Sequence, residues 1–296
     1  MDYTETKPAQ GAFEGQQLHE MRLSDGPIQY YDVGSGEPIL FVHGAFVNGG
    51  LWRNVCKPLS RDFRCLVPTL PLGGHQIAMD PDADLTPKGL VGLLTEFLDE
   101  LGVDRVTLVG NDTGGALCQV FLAEHPDRVE RLVLTNCDAF DNFPPLAARP
   151  FTLAARIPGL VELFAFALRS DRIRRLAFKI LAKHPIHPQT LSTYVESLSN
   201  NTDVQRDLRK VLLGVSSRYT TEAAKTFSAF DGPVLIVWAP EDPVFPLEDA
   251  EKLVESFPNA QLRQVQNSYA FIAEDQPERL TKLLSEFLEA PLPTSS

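Results

Sequence analysis

The 296-residue chain has few cysteines and no long apolar run. Its four cysteines, Cys56, Cys65, Cys118 and Cys137, form no Cys-x-x-Cys pair and no Cys/His cluster, which excludes a recognisable zinc site and favours reduced, buried thiols. No stretch approaches the roughly 18 consecutive apolar residues of a membrane span, and the first residues lack the basic and apolar regions of a signal peptide. We therefore expect a cytoplasmic protein without a metal.

The chain is also poor in basic residues, with 27 Lys and Arg against 39 Asp and Glu and a net charge of -12. Nucleic acids and anionic membranes bind clustered cations, so we expect neither as a partner. The one dense basic run, RSDRIRR at residues 169–175, has helical spacing and predicts a solvated helix face. We expect a small-molecule substrate, no cofactor, and a monomer or homodimer.

Strand-like and helical segments alternate along most of the chain. Segments such as GPIQYYDVG, PILFVHG, RVTLVGND, VERLVLTNCD and PVLIVWAP read as strands, and the alternation predicts a mostly parallel sheet with helices on both faces. The interval from 143 to 230 is helical throughout. The sequence thus predicts an α/β core at residues 1–142 and 231–296, with a helical cap inserted at residues 143–230.

The segment LVGNDTGGALCQ, at residues 108–119, carries most of the chemical information. An apolar strand leads into closely spaced glycines and then a helix, which is the arrangement of a strand-turn-helix elbow. The central residue of such an elbow adopts a strained conformation that lifts its side chain off the sheet. Here that residue is Asp112, and the structural alternative is an aspartate that merely caps a helix.

With its surrounding order of elements, this elbow resembles the α/β-hydrolase superfamily, in particular its aspartate-nucleophile branch of haloalkane dehalogenases and epoxide hydrolases. The resemblance extends from about Leu18 to Leu288. It implies an α/β-hydrolase fold with an inserted cap. It also implies that the carboxylate of Asp112 attacks carbon and forms an ester that water later hydrolyses.

The resemblance assigns the other parts of the site as well. His43-Gly44 follows the third strand, where the family supplies one oxyanion-hole amide; this implies Ala45 or Phe46 as one donor and Thr113 as the other. His43 itself is expected to be structural. Asp242, after the strand in PVLIVWAP, matches the acid that orients the catalytic histidine.

A second acid position is found in some dehalogenases, and Asp138 and Asp141 lie there, in NCDAFDN.

The expected histidine is missing from the last loop, VQNSYAFIAEDQPERL at residues 265–280. Ala270 takes its position, and no histidine follows Asp242. Alkylation of a carboxylate needs no base, but loss of the base that activates water typically costs about 10²–10⁴ in rate. The sequence therefore predicts either a substitute base or a stalled covalent intermediate.

His75, in TLPLGGHQIAMD, is the leading substitute base, since its loop approaches the site mouth in this superfamily. His184 and His187 of the predicted cap are alternatives, and Tyr269 and Glu274 lie close to the vacant position.

The predicted pocket favours epoxides over halides. Thr113 and Ala45 stand where dehalogenases carry side-chain N–H donors for the halide, whereas Tyr194 and Tyr219 of the cap could protonate an opening epoxide. The residues predicted to contact a substrate are His43, Trp52, Asn111, Asp138, Tyr194, Tyr219, Tyr269, Ala270 and Phe271.

We thus predict a hydrolase of epoxide-hydrolase or dehalogenase type that acts on a small, largely apolar molecule. The alternative is a non-hydrolytic protein of the same fold, either a ligand binder or a lyase or isomerase that uses Asp112 for proton transfer.

Overall fold

The computed structural model describes residue 13 and residues 15–292. The outer parts of the predicted core, residues 1–12, 14 and 293–296, lie outside these described residues. Eight strands form one sheet: β1 His19–Leu23, β2 Gly26–Val33, β3 Pro38–Val42, β4 Arg64–Thr69, β5 Val106–Asp112, β6 Val129–Cys137, β7 Val234–Trp238 and β8 Ala260–Gln264.

The strands lie in the order β1-β2-β4-β3-β5-β6-β7-β8. Strand β2 is antiparallel to β1 and β4, and all other neighbours are parallel. Strands β5 and β7 are buried at every residue, as expected where helices cover both faces. The predicted α/β class with a mostly parallel sheet is confirmed.

Twelve α-helices occur in the described part of the chain: α1 Arg53–Leu59, α2 Pro87–Glu100, α3 Thr113–Glu124, α4 Arg149–Ala154, α5 Leu160–Ala167, α6 Asp171–Phe178, α7 Pro188–Asn200, α8 Thr202–Gly214, α9 Ser217–Ala224, α10 Leu247–Ser256, α11 Ile272–Asp275 and α12 Pro277–Leu288. Short 3-10 segments lie at Gly49–Trp52, Pro126–Arg128, Leu146–Ala148 and Phe227–Ala229. No helix within residues 15–292 is long and apolar enough to cross a membrane.

Local sequence explains where the helices begin. Helix α2 starts at Pro87, whose fixed φ suits the first helical position, and the Thr86 hydroxyl accepts the Gly89 N–H at 3.3 Å. Its face of Leu90, Leu94 and neighbouring leucines is buried. All four cysteines are free and buried, as the sequence predicted.

Helices α4–α8 follow β6, and α4, α5, α6 and α8 supply much of the wall of a cavity above the sheet. Helix α9 belongs elsewhere, because it packs against α3 beside the sheet. The predicted cap, residues 143–230, therefore includes one helix, α9, that packs against the core. The division of the chain into core, cap and core remains a proposal.

Candidate active site

The loops that follow β3, β5, β6 and β7 meet the helices of the insertion around one large cavity. Its volume is about 930 Å³, counted with its opening to solvent. Most lining residues are apolar, and six are phenylalanines: Phe46, Phe143, Phe151, Phe164, Phe178 and Phe245. The polar lining residues are Asp112, Thr113, Asp138 and Thr152. The cavity therefore suits a small, largely apolar ligand.

Asp112 lies at the elbow between β5 and α3, with its backbone at φ 54°, in the left-handed region that non-glycine residues rarely adopt. The turn is closely packed, since a Cβ on Gly114 would lie 2.2 Å from the Val42 carbonyl oxygen. The backbone N–H of Thr113 donates to Oδ1 of Asp112 at 2.6 Å. The elbow thus holds the carboxylate in one orientation at the cavity wall.

The backbone after β3 passes directly beside this carboxylate. A Cβ on Gly44 would lie 2.6 Å from Oδ2 of Asp112, so only glycine allows this approach. The N–H of Phe46 donates to the Leu72 carbonyl at 2.9 Å, so of the two predicted alternatives for this donor, Ala45 and Phe46, Phe46 is engaged elsewhere. Ala45 lines the cavity, and its N–H has no partner within residues 15–292.

Burial determines the charge state of Asp112. Desolvation raises its pKa to about 6, while the hydrogen bonds from the amide and hydroxyl of Thr113 act in the opposite direction. Most of the Asp112 population is therefore ionised at neutral pH, as a nucleophile must be.

Asp138, just beyond β6, brings a second carboxyl group to the same cavity. It is 1% exposed, and its Oδ1 has no hydrogen-bond partner in the described part of the protein. The Thr113 hydroxyl lies 3.2 Å from Oδ1 of Asp112 and 3.5 Å from Oδ2 of Asp138. Burial, and then the charge of Asp112, raise the pKa of Asp138 well above its usual range. The two carboxyl groups thus lie on either side of the Thr113 hydroxyl at the wall of the same cavity.

Asp242 lies behind the cavity wall, which its neighbours Val244 and Phe245 line. Its Oδ1 accepts the Val244 N–H at 2.8 Å, and its Oδ2 accepts the Asn136 side-chain amide at 2.7 Å. Burial raises the pKa of Asp242 to about 7. With both oxygens engaged and alanine at position 270, this carboxyl group is part of the scaffold around the site.

Ala270 is fully buried, and the backbone around it is fixed by hydrogen bonds. Its carbonyl accepts the side-chain amide of Asn111 at 2.8 Å, and the N–H of Phe271 donates to the Leu181 carbonyl at 2.8 Å. Phe271 is fully buried as well and lies against Phe178, a residue of the cavity wall. Ala270, Asn111 and Phe271 are therefore supports of the site.

The two histidines predicted near the site are both engaged in the scaffold. His43 is fully buried, its Nε2 accepts the Leu70 N–H at 2.9 Å, and burial lowers its pKa to about 4. His75 pairs its Nε2 with Asp207 at 3.2 Å, and its Nδ1 accepts the Gly73 N–H at 3.4 Å. Neither lines the cavity, so the structure does not bring His75 to Asp112 as a base.

The two tyrosines predicted as acids also lie away from the cavity lining. The hydroxyl of Tyr194 bonds to Glu274, and Arg53 pairs with both Glu274 carboxylate oxygens at 2.6 and 2.8 Å. Tyr219 accepts from Arg218 at 2.7 Å and lines a separate surface depression beside α3. The hydrogen bond from Tyr194 to Glu274 connects α7 of the insertion to α11, which follows the last loop.

The remaining residues predicted to contact a substrate, Trp52 and Tyr269, also lie outside the cavity lining. Trp52 is fully buried and packs on Phe41, while its indole N–H has no partner in the described residues. Tyr269 is half-buried, and its N–H donates to Asp275 at 3.0 Å. Neither residue lines the cavity. Among the predicted substrate contacts, Asp138 is the one that does.

Sequence reasoning missed the aromatic wall. The phenylalanines at 143, 151, 164 and 178 come from the insertion, where the helical pattern gives no sign of which face is turned to a ligand. The ring of Phe46 contacts those of Phe151 and Phe164, with centroids 5.4 and 5.8 Å apart. This cluster joins the core loop after β3 to α4 and α5.

The fold agrees with the comparisons to known proteins. The model of the α/β hydrolase fold family matches residues 37–277, so the chain belongs to this family. It is 27% identical over 285 residues to the cis-3-alkyl-4-alkyloxetan-2-one decarboxylase of Shewanella oneidensis, covering 91% of this chain and 87% of that protein. It is 28% identical over 279 residues to haloalkane dehalogenase 2 of Mycobacterium tuberculosis, covering 89% and 92%.

Among solved structures, a haloalkane dehalogenase of Bradyrhizobium elkani has a TM-score of 0.75 and 21% identity, covering 92% of this chain and 97% of that one. The protein is therefore an α/β hydrolase with haloalkane dehalogenase-like relatives.

Proposed function

We propose that this protein opens strained oxygen rings, epoxides first among them, by attack of the Asp112 carboxylate on a ring carbon. The observation that carries the proposal is the pairing of Asp112 with Asp138 at one apolar cavity. Burial raises the pKa of Asp112 to about 6, and burial together with the charge of Asp112 raises the pKa of Asp138 well above its usual range. We assign Asp112 as the ionised nucleophile and Asp138 as the protonated acid. Two carboxyl groups whose environments separate their protonation states can divide the roles of nucleophile and acid.

In the first step, an Asp112 oxygen forms a bond to the ring carbon and the ring C–O bond breaks. The departing oxygen takes the proton of Asp138, which leaves a hydroxyalkyl ester on Asp112 and a carboxylate on Asp138. The Thr113 hydroxyl lies between the two carboxyl groups and can turn its hydrogen bond from Asp112 to Asp138 as the negative charge moves to Asp138. The sequence offered Tyr194 and Tyr219 as candidate acids, but neither lines the cavity, whereas Asp138 does.

In the second step, the Asp138 carboxylate takes a proton from water while the water oxygen attacks the carbonyl carbon of the ester. We assign stabilisation of the oxyanion to the amide of Thr113, which already donates to Oδ1 of Asp112, and to that of Ala45, which lines the cavity. The tetrahedral intermediate then expels the diol oxygen, which takes the remaining acidic proton from the Asp112 group. Asp112 is ionised again and Asp138 is neutral again, so the cycle closes without an imidazole.

Halide displacement fits the cavity less well. No Asn, Gln, Trp or cationic side chain is part of its lining, so a departing halide would have no side-chain N–H donor. Halide departure also consumes no proton, and Asp138 would remain neutral and unable to activate water. We therefore expect alkyl halides to alkylate Asp112 and to stall there.

A second candidate function is ring opening without hydrolysis. The relative from Shewanella oneidensis is named for decarboxylation of an oxetan-2-one, which is a four-membered cyclic ester. A strained lactone and an epoxide share an electrophilic ring carbon and a departing oxygen. A lyase reaction would also dispense with the water-activating base that Ala270 does not provide.

The test is intact-protein mass spectrometry with product analysis in the same tubes. The substrates are an alkyl epoxide, an alkyl bromide and a cis-dialkyl oxetan-2-one, and Asp112→Asn is the control variant. Steady diol release lost in the control supports epoxide hydrolysis, whereas alkene and carbon dioxide from the lactone alone would support the lyase. No adduct and no product from any substrate would refute nucleophilic attack by Asp112 and leave a ligand-binding function.

A further inference from the structure

The outer surface of the insertion is unusually apolar for a protein with so strongly acidic a composition. Nine of the eleven large hydrophobic residues that are exposed in the described part of the chain fall between residues 146 and 180. Leu163 and Phe166 are both 61% exposed, and Leu176 is 70% exposed. Isolated exposed apolar residues are ordinary, but a concentration of this kind marks an interaction surface.

These residues form one stripe on each of three short helices. Leu153 and Ile157 lie one turn apart on and just after α4, Leu163 and Phe166 lie one turn apart on α5, and Ile173 and Leu176 do so on α6. We call these six side chains the apolar cap face. Each of the three helices also contributes residues to the cavity wall, so the helices that carry the apolar cap face also border the cavity.

Basic residues accompany the stripes. Between residues 146 and 183 there are eight Lys and Arg and two acidic residues, although the whole chain carries a net charge of -12. Arg172 and Arg175 of α6 and Lys179 just after it have the i, i+3, i+7 spacing of one helix side, and all three are exposed. Arg172 precedes Ile173 in the chain, and Arg175 precedes Leu176. The three cations have no carboxylate partner within residues 15–292, whereas Arg174 pairs with Asp171. The helical spacing alone predicted a solvated face; the exposed apolar stripe beside it changes that interpretation.

We propose that the apolar cap face docks this protein on an anionic lipid bilayer, with the cavity facing the membrane. Exposed Leu, Ile and Phe next to Lys and Arg is the composition of segments that lie in a membrane interface, with apolar side chains among the acyl chains and cations at the headgroups. The acidic remainder of the chain would be repelled by the same surface, which orients the molecule. A ligand dissolved in the bilayer would then enter the aromatic cavity without crossing water.

A second copy of the chain fits this face less well than a bilayer. Two apolar cap faces in contact would bring Arg172, Arg175 and Lys179 of one protomer close to the same cations of the other. Like charges opposed across an interface disfavour association. An anionic bilayer complements both the charge and the apolar character, and it does not depend on which reaction the cavity performs.

The experiment is flotation with vesicles of phosphatidylcholine containing about a third phosphatidylglycerol, at low and at high salt. The full chain should float with these vesicles at low salt and much less at high salt. The triple variant Arg172→Gln, Arg175→Gln, Lys179→Gln should weaken binding about hundredfold, at about fivefold for each cation. Leu163→Ser with Phe166→Ser should also weaken binding, because it removes apolar insertion.

The matched control is Lys57→Gln, Arg61→Gln, Arg279→Gln, which removes three exposed cations from α1, its following turn and α12. It changes the net charge equally and should leave vesicle binding unchanged. All variants alter exposed side chains, and circular dichroism and thermal melting confirm their folding. Equal losses in both triple variants, or no flotation of the unaltered protein at low salt, would overturn the proposal. So would a dimer in light scattering that the Leu163 and Phe166 variant abolishes while flotation persists.

Discussion

Replacing Asp138 by Asn separates the two reactions that the carboxyl pair could perform. Asparagine has the same shape, but it can neither give a proton to a departing oxygen nor take one from water. General acid–base catalysis is typically worth about 10²–10⁴ in rate, or about 3–5 kcal/mol. We therefore expect Asp138→Asn to slow epoxide alkylation of Asp112 by about 10²–10⁴. Displacement of bromide consumes no proton and should change by no more than a few-fold.

The assay is the rate of adduct formation at Asp112 in single-turnover mass spectrometry, measured with an epoxide and with an alkyl bromide. Thr152→Val is the control, because Thr152 lines the cavity but its hydroxyl donates to the Arg149 carbonyl at 2.9 Å and does not contact the carboxyl pair. Thr152→Val should change the rate of adduct formation only slightly, and by the same factor for the epoxide and the alkyl bromide. If Asp138→Asn slows both alkylations equally, or neither, the role of Asp138 as the acid is refuted.

Three further predictions follow from the buried ionisable groups. Bromide displacement by Asp112 should rise with pH and level off above about 6, since only the ionised form attacks; a pH-independent rate would contradict the pKa of about 6. Tyr194→Phe should lower the free energy of unfolding by about 1–3 kcal/mol through the lost hydrogen bond to Glu274, with epoxide opening unchanged; a large loss of rate would restore Tyr194 as the acid. The pKa of Asp242 is raised to about 7 in the folded state, so the folded protein keeps this proton at pH values where the unfolded chain has lost it. As pH rises from about 4 to about 7, this group therefore lowers the free energy of unfolding by about 1.4 kcal/mol per pH unit. Denaturant titrations of Asp242→Asn should show a shallower fall over that window, and an unchanged slope would contradict it.

The sheet and the elbow were readable from the sequence because both depend on local signals. Buried parallel strands require apolar runs, and the turn at Asp112 requires glycines where neighbouring backbone passes closely, as at Gly114 beside Val42. The structure also brings Ala270 of the last loop to the elbow, where its carbonyl accepts the side-chain amide of Asn111 at 2.8 Å. These inferences need no knowledge of side-chain direction.

The parts that sequence could not supply depend on side-chain direction across long separations. Tyr194 could have faced the cavity, but the half-buried Arg53 and Glu274 from distant segments bind its hydroxyl elsewhere. His75 was placed in a loop near the site, but Asp207 of α8 holds its ring. In both cases a charged partner far along the chain decides the orientation, and no local pattern records that partner.

Burial gives a physical reason why a carboxyl group can take the place of an imidazole at this site. Removal from water disfavours the charged form of either group, so it lowers the pKa of a histidine and raises that of an aspartate. His43 illustrates the first case, with a pKa of about 4 that leaves it neutral and unable to carry a proton at neutral pH. Asp112, Asp138 and Asp242 illustrate the second, since burial raises the pKa of all three, to about 6 for Asp112 and about 7 for Asp242. In a cavity this apolar, the group that burial brings into the range useful for proton transfer is the carboxyl group.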